Sequence, residues 1–474
     1  MAYNPSLKKV EMPNQDPVER AANFDEVALG YTREMAMEEA RRCLNCKHKP
    51  CVNGCPVRID IPGFIQQIAL GNMEEAFLIL YKDSALPAVC GRVCPQESQC
   101  EERCVRAFKG DSVAIGRLER YAADWYRASA CKIPPAPVPN GHKVAVVGAG
   151  PGGLTAAGEL ARMGYAVSIF EALHLPGGVL SYGIPEFRLP KDIVGAEVAA
   201  LKRLGVELHM NTVIGKTLTI DELLEMGYEA VFIASGAGLP RFMGIPGETL
   251  KGVYSANEYL TRINLMRAYE EDALTPIMRG NHVAVVGGGN VAMDAARCAK
   301  RLGAREVSII YRRSMKELPA RQEEVHHAQE EGIVFRTLTN PVAILGDDKG
   351  WVKGLECVQM VLGEEDASGR RRPIVKAGSN EVVAADVVII AIGTTSNPLI
   401  RMTTPGLETN EWGSIVIKGP GGETSRERVY AGGDVVTGSA TVIQAMGAGK
   451  DAAIAIHRLI QGPVEHPEGP DGQE

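Results

Sequence analysis

The stretch Lys143-Val-Ala-Val-Val-Gly148-Ala-Gly150-Pro-Gly-Gly153 decides the fold. Its first residues, three of them valines, form a short apolar run that ends on glycine, the pattern of a buried strand closed by a turn. Gly148 permits the tight turn, Gly150 lets a backbone approach a pyrophosphate, and Gly153 allows a helix to pack closely on the strand. A helix running to about Met163 offers its first-turn amides and the positive end of its dipole to phosphates. The next strand, Ala166-Val-Ser-Ile-Phe170, ends at Glu171, 21 residues beyond Gly150, where a carboxylate suits a ribose diol. A glycine loop alone is most often a plain turn; strand, loop, helix and acid in this order predict a dinucleotide site.

The pattern recurs about 139 residues later: His282-Val-Ala-Val-Val286, then Gly287-Gly-Gly289-Asn290-Val-Ala292, then Glu306-Val-Ser-Ile-Ile310. Ala292 is small enough for the packing role of a third glycine. Where the first unit has its acid, the second reads Tyr311-Arg312-Arg313-Ser314. A carboxylate there repels a 2′-phosphate, whereas guanidinium groups bind it, so this unit is expected to take NADP(H). Buried strands at Ala230–Ala234 and Asp386–Ile390 close the two units. Near the end of the chain, Val429-Tyr-Ala-Gly-Gly-Asp434 is a strand running into glycines and an acid, followed by a helix starting near Thr441 and carrying Gln444. Asp434 can hydrogen-bond a ribityl chain or ribose, and the helix can direct its positive end at a flavin ring. With the first glycine loop, these features predict FAD in the first unit.

The predicted fold class is α/β: an N-terminal α-helical domain followed by two Rossmann-like domains, the NADP domain inserted in the FAD domain. The expected boundaries are residues 1–140 for the helical domain, 141–270 and 396–474 for the two parts of the FAD domain, and 271–395 for the NADP domain. Met35 to Leu44 and Ile61 to Tyr81 show helical spacing, and the proline-rich Lys132–Gly141 reads as the linker.

Of eleven cysteines, eight lie between Cys43 and Cys104, in the runs Cys43-x2-Cys46-x4-Cys51-x3-Cys55-Pro and Cys90-x3-Cys94-Pro-x4-Cys100-x3-Cys104. Disulfides rarely persist in the cytoplasm, so this density reads as metal or redox chemistry. Two runs of four with prolines after Cys55 and Cys94 are similar to the ligand runs of two-cluster ferredoxins. Zinc is the rival, but its sites usually pair short Cys-x2-Cys knuckles. Cys131, Cys298 and Cys357 read as small core residues. His326-His327, in the charged stretch Glu323 to Glu331, reads as a solvated helix face. The nucleotide units hold no cysteine pair for dithiol chemistry.

Composition bounds the remainder. A chain of 474 residues with 45% hydrophobic and 23% charged residues is globular and multidomain. A net charge of -7 gives no footprint for nucleic acid or an anionic membrane. No apolar run reaches about 18 residues and the N-terminal stretch lacks a signal-like apolar core, so a cytoplasmic location is expected.

The whole order of motifs, from cysteine runs and linker through both glycine loops, Tyr311-Arg312-Arg313 and Ala431-Gly-Gly-Asp434, resembles the glutamate synthase small-subunit family over nearly the full length. Two branches compete: the NADPH-oxidising small subunit of glutamate synthase, and the large subunit of NADH-dependent reduced ferredoxin:NADP oxidoreductase, also called sulfide dehydrogenase. Asp16–Arg20, Asn23–Val27 and Gly30–Glu34 are more similar to the second, an electron-bifurcating branch. The resemblance implies FAD, NADP(H) and two 4Fe-4S clusters. It also implies a partner, either a ferredoxin-reductase-like subunit or the glutamate synthase large subunit, with ferredoxin as a further acceptor. Carried over by position, Cys43, Cys46, Cys51 and Cys104 hold one cluster. Cys55, Cys94, Cys100 and the side chain of Glu119 hold the other, with Cys90 spare. Gly178 lies in the flavin-side loop Pro176–Pro185, and Arg188 and Lys191 beside it are the expected catalytic residues. Residue 2 is alanine and no barrel pattern is left over, so the chain itself makes no glutamate. The rival from another class is an assembly subunit that keeps FAD only for structure.

Overall fold

The computed structural model describes residues 3–129, 137–366 and 369–462. Cys131 and positions 132–136 of the predicted linker lie outside them. The N-terminal region is helical: α1 (Pro17–Arg20), α2 (Arg33–Ala40), α3 (Pro50–Asn53), α4 (Ile61–Leu70), α5 (Met73–Asp83), α6 (Pro87–Val93) and α7 (Ile115–Ala128). Then follow β1 (Lys143–Val147), α8 (Pro151–Arg162), β2 (Ala166–Phe170), α9 (Val179–Tyr182), α10 (Lys191–Arg203), β3 (Glu207–His209), α11 (Ile220–Glu225) and β4 (Ala230–Ile233). The middle of the chain holds β5 (Leu239–Pro240), β6 (Val253–Ser255), α12 (Ala256–Asn264), β7 (His282–Val286), α13 (Asn290–Arg301), β8 (Glu306–Tyr311), α14 (Gln322–Glu330) and β9 (Val334–Thr337). Next come β10 (Thr339–Gly346), β11 (Val352–Glu365), β12 (Arg371–Val375), β13 (Glu381–Ala384), β14 (Val387–Ile390) and β15 (Thr394–Thr395). The chain closes with α15 (Leu399–Thr403), β16 (Val429–Ala431), α16 (Asp434–Thr437) and α17 (Val442–Gln461).

Two compact units emerge. One gathers the described residues of Met1–Cys131, Gly177–Ala196 and Ala237–Thr395; the other those of Lys132–Pro176, Glu197–Gly236 and Ser396–Glu474. The second unit carries a parallel sheet in the order β16-β4-β1-β2-β3. The first carries a parallel sheet in the order β6-β14-β7-β8-β9, which is the same arrangement about a central glycine-loop strand. Strands β6 to β14 lie in the chain between β4 and β16, so the inserted topology predicted from the motif order is present. Strand β6, in the stretch expected to belong to the first part of the FAD domain, pairs in parallel with β14.

Alternation along β7 shows how the first unit builds two cores. Val283 and Val285 face α12 and α13, together with Val27 of the N-terminal arm and Phe187. Ala284 and Val286 face Ile344, Leu355, Cys357 and Val383 of an antiparallel sheet formed by β10 to β13. That sheet went unpredicted; register shifts after Pro341 and Leu345 and near Leu362 break the alternation that marks a strand. In the helical region, the predicted helix from Ile61 to Tyr81 is two helices. Gly71, at φ +87, ends α4 in the left-handed conformation that a helix-terminating glycine adopts.

Candidate dinucleotide and iron–sulfur sites

The two glycine loops use their residues alike. Gly148 adopts φ +105, and a Cβ there would lie 2.5 Å from the Ala234 carbonyl oxygen. At Gly153 a Cβ would collide with the Gly148 carbonyl, and at Gly287, φ +146, with that of Ala391. Gly150 and Gly289 are different: a Cβ on either meets nothing within 4 Å. The middle glycine of each loop therefore borders open space at the N-terminus of α8 or α13, where the first-turn amides have no partner inside the helix. This is the cradle a pyrophosphate needs. Ala292, in the third place of the second loop, is fully buried.

Glu171 stands at the end of β2, buried, with Oε2 accepting from the Ala149 amide at 2.7 Å and Oε1 from the Leu173 amide at 2.8 Å. The loop thus fixes the acid in place while each oxygen keeps lone-pair capacity. Beyond the second glycine loop the two predicted phosphate-binding arginines are divided. Arg312 is exposed. Arg313 is buried, its Nη2 2.6 Å from Asp366 and its Nε donating to the Arg371 carbonyl at 2.8 Å. Arg313 therefore ties β8 to the antiparallel sheet, and only Arg312 presents a free cationic edge at the strand end. Asn290 opens α13, with Oδ1 accepting from the Arg321 amide at 2.9 Å.

At the C-terminal end, Asp434 opens α16; burial pushes its carboxyl above the usual range, against the opposing Ala440 amide at 3.2 Å. Thr441 and Gln444 form a capping box on α17: Thr441 Oγ1 accepts from the Gln444 amide, and Gln444 Oε1 accepts from the Thr441 amide at 3.1 Å. Their side chains are committed to the cap, leaving the helix amides as the free donors.

Gly178, at φ +53, precedes α9 in the first unit. Arg188, one of the two expected catalytic residues, lies in a buried ion network. Its Nη1 reaches Asp294 Oδ2 at 2.8 Å and its Nε lies 3.1 Å from Glu324. Arg297 pairs with Glu324 and, at 2.7 Å, with Glu331, which also receives Arg301 at 2.7 Å and Arg20 at 3.1 Å. The Arg301 guanidinium stacks 3.8 Å from the Phe187 ring centre. Lys191 donates to the carbonyls of Ile184 at 2.6 Å and Leu189 at 2.8 Å, and burial lowers its pKa to about 8. The same network corrects the reading of the Glu323–Glu331 helix: His326 is exposed, but Glu324, His327 and Glu331 are buried, one helical face satisfied by arginines from other elements.

The cysteines separate into two groups. Cys43, Cys46, Cys51 and Cys104 line one cavity, whose other walls include Leu44, Ile61, Ile65, Val113 and Ile115. The first run supplies three of these thiols and the second run one, the crossed pattern implied by the family. Burial first, then Cys43 and Cys104, pushes the Cys51 thiol up to about 12. Four thiols from two chain segments around one cavity with apolar walls are a donor set that suits an iron–sulfur cluster. The second group is Cys55, Cys94 and Cys100: burial raises Cys55 and Cys100, a hydrogen bond from Cys90 lowers Cys94 but is outweighed by burial, and the Glu119 charge adds to the rise at all three. Glu119 is itself buried on α7. Cys90 is not set apart: it is fully buried and hydrogen-bonds Cys94. Cys298 and Cys357 are buried core residues as expected.

With this geometry in view, comparisons place the chain. Residues 20–131 match the family model of dihydropyrimidine dehydrogenase domain II, 4Fe-4S cluster, and residues 142–449 match that of pyridine nucleotide-disulphide oxidoreductase. The NADPH glutamate synthase small chain of Halomonas elongata is 38% identical over 466 residues, covering 96% of this chain and 98% of that one. The chain belongs to the glutamate synthase small-chain family. As a member it is an oxidoreductase whose cofactors are FAD, NADP(H) and 4Fe-4S iron–sulfur. The beta subunit of the NADP(+)-dependent formate dehydrogenase of Moorella thermoacetica is 41% identical over 437 residues, and this chain spans 60% of its length. Among solved structures, FprA from Mycobacterium tuberculosis shares the fold, with a TM-score of 0.56 at 22% identity, covering 69% of this chain and 87% of FprA. Among the described residues, no helix is long and apolar enough to cross a membrane.

Proposed function

We propose that this small-chain family member oxidises NADPH and delivers the electrons singly to a second redox subunit. The observation that carries the reading is the ring of Cys43, Cys46, Cys51 and Cys104, drawn from both runs around one cavity, in a chain with two dinucleotide cradles. In such a protein FAD accepts hydride, and iron–sulfur clusters carry the electrons onward one at a time. The first glycine loop, with Glu171 on the ribose, Asp434 and the amides that open α17, holds FAD. The second, from Gly287 to Ala292, holds NADP(H), with the Arg312 guanidinium on the 2′-phosphate. Cys43, Cys46, Cys51 and Cys104 hold one cluster, and Cys55, Cys94, Cys100 and Glu119 the other. Arg188 and Lys191 act as positioning residues that keep the loop from Gly178 onward rigid.

The test is anaerobic purification followed by assay of iron, acid-labile sulfide and flavin, then bleaching of the flavin by NADPH and by NADH. About eight irons, eight sulfides and one FAD per chain, bleached faster by NADPH, are expected. Zinc or no iron overturns the reading, and FAD that NADPH does not bleach assigns the chain a purely structural role.

For the assembly, we infer the electron-bifurcating ferredoxin:NADP oxidoreductase, on the likeness of Asp16–Arg20, Asn23–Val27 and Gly30–Glu34 to that branch. The second reading, the small subunit of glutamate synthase, is favoured by the match over 98% of the Halomonas elongata chain. Copurification of a ferredoxin-reductase-like flavin subunit supports the first; a large amidotransferase subunit overturns it in favour of the second.

A further inference from the structure

Arg321 joins the second glycine loop to the cysteine segment Cys90–Cys100. Its backbone amide donates to Asn290 Oδ1 at 2.9 Å, at the first position of α13 and next to the cradle at Gly289. Its side chain turns the other way: Nη1 donates to the Arg92 carbonyl at 2.9 Å. That carbonyl belongs to the last turn of α6, which has Cys94 as its C-terminal cap, so the guanidinium satisfies a helix end that has no internal partner. The neighbouring Gln322 amide donates to Glu97 Oε1 at 2.6 Å, in the loop between Cys94 and Cys100. The receiving end is stiff, because Arg92 is pinned by Glu26 at 2.7 Å and Asp124 at 2.8 Å. The Arg321 side chain is 11% exposed, too enclosed to shift without moving its neighbours. All of these residues belong to one compact unit.

We propose that Arg321 is a positioning residue that couples occupancy of the second dinucleotide site to the cluster held by Cys55, Cys94, Cys100 and Glu119. The inference rests on the assignment of those residues under Proposed function. A dinucleotide settling on Gly289 and Asn290 presses on the Arg321 backbone, and the guanidinium passes that displacement to the Arg92 carbonyl and the Cys94 turn. Coupling is reciprocal, so the redox state of the cluster changes nucleotide affinity by the same factor.

The test uses the full-length protein carrying its flavin and clusters, with 2′,5′-ADP as a redox-inert probe of the site. Low-temperature EPR of the dithionite-reduced protein is recorded with and without 2′,5′-ADP, and its affinity is measured on oxidised and reduced protein. In the parent protein one cluster signal is expected to shift, and the two affinities to differ about fivefold, at the low end of measured couplings. Arg321→Gln and Asn290→Ala, with iron and flavin content intact, are expected to lose the shift and bring the ratio below about twofold. Asn290→Ala leaves the α6 cap in place and, with its spectra recorded at saturating 2′,5′-ADP so that weaker binding is not read as lost coupling, decides the matter if Arg321→Gln loads iron poorly. A parent protein without the response, or variants that keep it, overturns the coupling. A parent protein without iron overturns the functional reading instead.

Discussion

Helices α8 and α13 follow equivalent glycine loops beneath the same strand order, yet they are buried by opposite means. Helix α8 is packed by small residues; Gly152 and Ala156 meet α17 so closely that a Cβ on Gly449 would strike the Gly152 carbonyl. Helix α13 buries charge: Asp294, Arg297 and Arg301 lie inside, answered by Glu324 and Glu331 of α14, by Arg188, and by Arg20 of the N-terminal arm. Backbone-to-backbone contact completes the first arrangement within two helices. Ion pairing in the second recruits distant parts of the chain, because a buried charge left alone is far costlier than a lost apolar contact. The difference teaches that a nucleotide-binding unit can be closed on itself or wired to its neighbours by the chemistry of one helix face.

The largest effects test whether the loops truly serve separate cofactors. Gly153→Val is expected to abolish flavin binding, read as absorbance near 450 nm per mole of protein. Gly287→Val should keep the flavin but slow its reduction by NADPH about 100-fold or more, since the dinucleotide is misplaced. The opposite outcome would exchange the roles of the two units.

The buried means can be compared directly. Glu331→Gln leaves Arg20, Arg297 and Arg301 without a shared carboxylate and should cost about 3–5 kcal/mol in denaturant unfolding. Gly449→Ala overpacks the α8 contact and should cost about 1–3 kcal/mol. Equal losses would remove the distinction.

A smaller effect separates adjacent arginines. Arg312→Gln should raise the KM for NADPH about tenfold, roughly 1.4 kcal/mol, and leave that for NADH unchanged. Arg313→Gln should lower stability, through the orphaned Asp366, with the NADPH KM within about twofold of the parent.

A pH effect is confined to the ion-paired unit. Burial lowers His327 to about 4 from 6.5, and the arginines overcome burial to hold Glu324 and Glu331 near 2 against 4.5. In each case the unfolded chain binds protons first, so stability is present at high pH and falls from about pH 6.5 for His327 and from about 4.5 for the glutamates. Asp294, raised by burial from 3.8 to about 6, acts in the other direction: its stabilisation is complete below about pH 4 and is lost as the pH rises through about 6. Comparing pH 7 with pH 5, His327→Gln should remove about 2 kcal/mol of the loss attributable to this histidine. An unchanged pH slope in that variant would show that His327 titrates normally.

Much of the site could be read from local pattern. Three functions impose backbone constraints that only glycine or a small residue meets, so the loops at Gly148 and Gly287 stand out in the bare sequence. The capping role of Thr441 and Gln444 was also readable, as Thr-x-x-Gln ahead of an apolar run. Arg312 and Arg313 share a charge but not a face, and the period-two alternation of a strand would have divided them. The buried face of α14 was hidden because Glu324, His327 and Glu331 are residues that ordinarily face water. Nothing near Arg321 in the sequence signals its bonds to Asn290 and Arg92, which lie 31 and 229 residues away.

The sequence by itself determined the two glycine-loop units, their order, the inserted topology and the eight-cysteine front, because each follows from residue types at short, fixed spacing. Tertiary structure alone decided which arginine faces outward and that Arg188, Arg297 and Glu331 form one buried network. Those outcomes depend on contacts between residues far apart in the chain, whose free energy exists only once folding has brought them together and removed the water around them.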